Sequence, residues 1–106
     1  MQWIKIFASA AEADMTLIEN KPQLIVVHGK RICLVKWGGK FLAVSDRCTH
    51  NGESLSKGKV NPVGEIVCPW HGQQFNLKNG REVFERSPDL ECFPVKIEQT
   101  GLYLGL

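Results

Sequence analysis

Short apolar runs, β-branched or alternating with polar residues, recur along this chain between glycine, proline and asparagine breaks. That period of two belongs to strands, whose successive side chains face opposite ways. Trp3-Ile4-Lys5-Ile6-Phe7 alternates and predicts a short strand. Ala8 to Asp14 is rich in alanine and acid but too short for a helix stable on its own, so it reads as a connection. Leu24 to His28, a turn at Gly29-Lys30, Arg31 to Trp37, a two-glycine turn at Gly38-Gly39 and Lys40 to Val44 predict a three-stranded antiparallel meander. Cys48 to Gly58 reads as a loop and Asn61 to Gly64 as a turn. Glu65-Ile66-Val67 is a brief strand leading into a second loop, Pro69 to Gly72. Two more hairpins follow, Gln74–Leu77 with Glu82–Phe84 and Phe93–Glu98 with Leu102–Leu104, separated by a break at Ser87-Pro88-Asp89. The expected class is all-β, with two loops inserted in mid-chain.

At 106 residues the chain is read as one domain, 1–106, able to bury a core without disulfides. A net charge of +2 with scattered lysines and arginines argues against nucleic acid or an anionic membrane as partner. The N-terminal stretch is too short and charged for a signal peptide, and no apolar run approaches the ~18 residues of a spanning helix. A cytoplasmic protein is expected. In a reducing compartment its cysteines and histidines point to metal rather than to disulfides.

Two clusters carry that chemistry. Cys48-Thr49-His50 is followed, after 17 residues, by Cys68-Pro69-Trp70-His71. Each supplies one sulfur and one nitrogen. Such soft and borderline donors exclude calcium and magnesium and leave zinc, iron–sulfur and copper. Zinc fingers usually segregate the cysteine pair from the histidine pair, whereas here each cluster is mixed. A two-iron cluster with both cysteines on one iron and both histidines on the other fits two such loops.

The spacing, with the flanks Asp46 to Gly52, Leu55 to Gly58 and Cys68 to Phe75, resembles the Rieske-type [2Fe-2S] proteins over nearly the whole chain. Gly80, Pro88, Leu90 and Val95 extend the likeness. The resemblance implies a Rieske-like fold of antiparallel sheets, with a cluster-binding subdomain formed by loops at about 46–58 and 68–75. It implies one [2Fe-2S] cluster per chain, Cys48 and Cys68 on the inner iron, and His50 and His71 on the outer iron through Nδ1. Relatives in respiratory and photosynthetic complexes carry a further cysteine in each loop, and these pair. Glu53 and Trp70 stand there in this chain, so that bridge cannot form. Those relatives also carry a serine and a tyrosine whose hydroxyls stabilise the reduced state. Gln73 and Phe75 replace them, which places the potential toward the ~−150 mV end of the Rieske range. The N-terminal membrane anchor of such complexes is not expected either.

Rieske oxygenase large subunits add a mononuclear iron held by two histidines and a carboxylate. Only 35 residues follow His71, none of them histidine, so a carrier is expected rather than a complete enzyme. The resemblance implies a monomeric one-electron ferredoxin between a flavin reductase and a terminal oxygenase. A small subunit bound to the large subunit of a nitrite reductase is the alternative, and a zinc-stabilised non-redox β domain is a third reading. No catalytic acid, base or nucleophile is assigned. Cys33, Cys92 and Trp3 are expected in the core, Leu55 under the first loop, His28 at an exposed turn, and Trp37 packed on its hairpin. Trp70 is read as packing over the cluster or as part of a docking surface.

Overall fold

The computed structural model describes all residues, Met1–Leu106. Its strands are β1 (Trp3–Phe7), β2 (Gln23–Val27), β3 (Lys30–Trp37), β4 (Lys40–Ser45), β5 (Lys59–Val60), β6 (Glu65–Val67), β7 (Gln74–Asn76), β8 (Cys92–Phe93), β9 (Val95–Glu98) and β10 (Gly101–Gly105). They form three antiparallel sheets, ordered β2-β3-β4-β8, β1-β10-β9 and β5-β6-β7. The mostly-β, antiparallel class is as expected.

The meander β2-β3-β4 is present, with strand ends displaced by a residue. His28 and Gly29 both have positive φ (48° and 79°), as do Gly38 and Gly39 (59° and 74°), so both connections are two-residue turns whose twist suits a hairpin. The first turn therefore sits one residue earlier than the sequence suggested, and His28 is exposed in it.

β3 and β4 form a central layer with a core on each side. Cys33, Val35 and Val44 face a core that includes Leu55, Ile66, Phe75, Leu77 and Leu90. Ile32, Leu34, Phe41 and Ala43 face another, closed by Phe93, Leu102, Leu104, the helical residue Ala13 and the helix C-cap Leu17. Two-sided burial explains why Ile32-Cys33-Leu34-Val35 is continuously apolar rather than alternating. Trp37 packs against the first core, over the backbone of Gly64.

Several local expectations are corrected. The stretch read as a connection holds a seven-residue helix, α1 (Ala10–Thr16), whose N-cap Ser9 accepts from the Glu12 N–H. It is stabilised by burying Ala13 and Leu17, a tertiary effect its short length conceals. The Gln74–Leu77 hairpin lacks a second strand, since a single bridge between Phe75 and Glu82 replaces it. The Phe93–Glu98 strand is split at Pro94, which has no N–H for a ladder. Cys92–Phe93 pairs with β4, and Val95–Glu98 pairs with β10. Cys92 is exposed and Trp3 is 37% exposed, so neither is core. Cys33 is fully buried, as expected, and no disulfide joins any cysteines. No helix is long and apolar enough to cross a membrane.

Candidate metal centre

The site is built on the small sheet β5-β6-β7 and the segment after β4. β4 ends at Ser45 and leads into the first cysteine–histidine loop. β6 ends at Val67 and leads straight into the second, which returns as β7. The two loops close in the same way. The Cys48 N–H donates to the Glu53 carbonyl (2.9 Å), and the Cys68 N–H donates to the Gln73 carbonyl (2.8 Å). Each cysteine is thus pinned by its backbone to the residue five positions on.

Buried Asp46 anchors the base of the first loop. Its carboxylate accepts from the Ser56 N–H (2.7 Å) and the Ser54 hydroxyl (2.5 Å), with Arg31 at 3.5 Å. Leu55 is fully buried beneath, as anticipated. In the second loop His71 has φ 71°, a left-handed conformation uncommon outside glycine that costs on the order of 1 kcal/mol. His71 is exposed there, whereas Cys68, three residues earlier, is buried.

Cys48 and Cys68 are each only 1% exposed, and both belong to the same core. Burial pushes the Cys68 thiol up from its ordinary pKa. The Trp70 backbone N–H and the Asn51 amide oppose the shift, and Cys48 reinforces it. His50 and His71 are exposed, with ring centroids 6.1 Å apart and planes at 78°. The four residues are therefore arranged as a buried sulfur pair and an exposed nitrogen pair. No three His, Cys, Asp or Glu side chains converge as a mononuclear ion requires. A two-iron cluster takes two protein donors per iron, one soft pair and one borderline pair, and that donor set is present.

Trp70 is 57% exposed and stacks on His71, with ring centroids 5.2 Å apart and planes at 16°. It shields one face of that imidazole while presenting its other face to solvent.

Two features escaped the sequence reading. Residues 82–88 form a third loop at the site. Buried Glu82 accepts from the Phe84 and Arg86 N–H groups (3.2 and 2.9 Å) and from the Arg86 guanidinium (3.1 and 2.8 Å). Arg86 thereby holds the Glu82 carboxyl at about 2, against the opposing pull of burial. The turn delivers Ser87, whose hydroxyl donates to Gln73 Oε1 (3.2 Å) and lies 3.0 Å from the Thr49 hydroxyl. Thr49 in turn donates to the Pro88 carbonyl (2.5 Å). The second feature is Asn51, which reaches across to the other loop. Glu82 with Arg86, spaced i and i+4, was the available signal for the first; nothing local marked the second.

A model of the Rieske [2Fe-2S] domain family matches residues 3–94. The 3-phenylpropionate/cinnamic acid dioxygenase ferredoxin subunit of Shigella boydii is 34% identical over 76 residues, covering 71% of this chain and 72% of that protein. The ferredoxin of carbazole 1,9a-dioxygenase from Nocardioides aromaticivorans IC177 has the same fold, with a TM-score of 0.83 over 99% of this chain and 98% of that one at 20% identity. A chain in the complex of reduced oxygenase and oxidized ferredoxin in carbazole 1,9a-dioxygenase gives a TM-score of 0.81 at 26% identity, over 97% and 92% of the two chains. With the family pattern matched from β1 to Pro94 and its donor pairs gathered on two loops, the chain belongs to the Rieske [2Fe-2S] domain family, and its cofactor is a [2Fe-2S] cluster.

Proposed function

We propose that this protein is a one-electron carrier, a Rieske ferredoxin serving a terminal oxygenase. Its residues 1–106 would form one Rieske domain. Cys48 and Cys68 hold the inner iron, and His50 and His71 hold the outer iron. The bound cluster supplies a reversible one-electron couple. Everything else is the work of the chain. The buried sulfur side keeps water from the thiolates, and the exposed imidazole side is what a partner protein can approach. That split in burial, 1% for both cysteines against two exposed histidines, carries the reading. Trp70, stacked on His71 and open to solvent, forms the apolar part of the contact surface.

Two relatives support the choice of partner: one is a dioxygenase ferredoxin subunit, and the other is the oxygenase–ferredoxin complex. The donor is a flavin reductase, and the carrier is a cytoplasmic monomer that binds both partners transiently.

The purified protein should be red-brown and give a rhombic electron paramagnetic resonance signal after reduction. Mixed with a flavin reductase, NADH and an aromatic-ring oxygenase component, it should make product formation depend on its own concentration. A colourless protein with stoichiometric zinc would overturn the redox reading. A stable complex with a large partner during purification would replace the free carrier by a tightly held subunit.

A further inference from the structure

Asn51 occupies a position in the first loop that bears on the second. Its Oδ1 accepts from the Glu53 backbone N–H (2.9 Å). Only the oxygen end of the amide can accept, so this bond fixes which way the group faces. Nδ2 is then turned toward the second loop, 3.3 Å from the Trp70 carbonyl and 3.8 Å from Cys68 Sγ. An amide nitrogen carries two protons, one for each acceptor. Cys68 Sγ also lies 3.8 Å from Asn51 Oδ1, but a thiolate has no proton to offer there. As an ionised ligand, the sulfur can only receive from Nδ2.

Asn51 supplies the one side-chain donor within hydrogen-bond distance of either loop cysteine. The Gln73 side chain is engaged through Oε1 with Ser87, and Phe75 is fully buried with no donor. Cys68 is nearly inaccessible, so water competes little for its sulfur.

We propose that the Asn51 Nδ2–H to Cys68 Sγ hydrogen bond raises the reduction potential, partly offsetting the hydroxyl donors missing at positions 73 and 75. This rests on the assignment of Cys68 as an iron ligand. Reduction adds one negative charge, part of which resides on the cysteine sulfurs. A donor aimed at such a sulfur gains strength as its charge grows, so it stabilises the reduced form more than the oxidised one. Asn51 is thus a positioning and tuning residue, not a ligand.

Two substitutions and one labelling experiment test this. Asn51→Asp keeps the acceptor for the Glu53 N–H and removes the donor, whereas Asn51→Ala removes both. In the Asn51→Ala holoprotein the ratio of reduced to oxidised cluster at a fixed potential should fall by about tenfold, a shift of ~59 mV for one electron. Asn51→Asp should fall further, because it sets a negative charge beside the sulfur. Wild-type protein labelled with 15N in the asparagine side-chain amide should show a resolved 15N coupling in pulsed electron paramagnetic resonance of the reduced state. An intact rhombic signal with an unmoved midpoint in both variants would overturn the inference while leaving the cluster reading in place. So would lower thermal stability without a change in midpoint, since that marks a purely structural role. Absence of the 15N coupling would overturn it without any variant.

Discussion

Gly58 shows how strictly a single residue is constrained beneath the site. A Cβ at that position would collide with the Val67 carbonyl oxygen and come within 3.2 Å of the Pro69 ring. Both belong to the segment that carries Cys68, so Gly58→Ala must push the second loop away from the first. The expected cost is about 2 kcal/mol, with a matching fall in thermal midpoint and lower iron content per chain. Glu82 is the other residue whose environment decides a measurable property. Its pKa is lowered from 4.5 to about 2 in the folded state, chiefly by Arg86. A folded-state pKa below the unfolded one stabilises the fold fully above pH 4.5, and that stabilisation is lost as pH falls toward 2. Glu82→Gln should lower stability at neutral pH by ~1–3 kcal/mol. It should also flatten the loss of stability below pH 4.5 when denaturant midpoints are compared with wild type.

At the scale of elements, the site depends on three loops rather than two. The cysteine–histidine loops repeat one design, a backbone bond from each cysteine to the residue five positions later. Those bonds shape each loop but do not join them. Joining falls to Asn51 and to the Ser87-Pro88 segment, which meets Gln73 in one loop and Thr49 in the other. Ser87→Ala removes the proton donated to Gln73 Oε1 and leaves a buried amide oxygen without that partner, at a cost of ~1–3 kcal/mol. The expected result is faster bleaching of the visible absorption under a chelator or on heating. Full retention of wild-type bleaching rates would show that the third loop does not hold the other two. Trp70 belongs to this scale too, since it stacks on its neighbour His71 within the second loop. Trp70→Ala should raise the apparent KM for a protein partner severalfold, read in steady-state electron transfer, while kcat changes less.

The whole molecule seats both loop cysteines in one of its two cores. β3 and β4 divide the interior, and the core on one side contains both loop cysteines while the core on the other is closed by α1 and β10. The sheet with Leu102 and Leu104 therefore supports the fold without touching the site. A midpoint potential below zero is expected of the holoprotein, because buried Phe75 offers no donor and the Gln73 side chain is bonded to Ser87 rather than to either loop cysteine. Redox titration checks this, and a midpoint well above zero would show that Asn51 and the backbone donors outweigh the missing hydroxyls. The sequence by itself determined the meander, through β-branched runs and the Gly38-Gly39 turn, and marked the candidate donors Cys48, His50, Cys68 and His71 through motif spacing. Those signals are local, so they survive without knowledge of the fold. Only tertiary structure decided that α1 forms, because its stabilisation comes from burying Ala13 and Leu17 against distant strands. It alone decided that Cys92 is exposed, that Phe93 and Val95 serve different sheets, and that Asn51, Thr49 and Ser87 bind the loops together. Each of these rests on contacts between residues far apart in the chain, which no periodicity or spacing encodes.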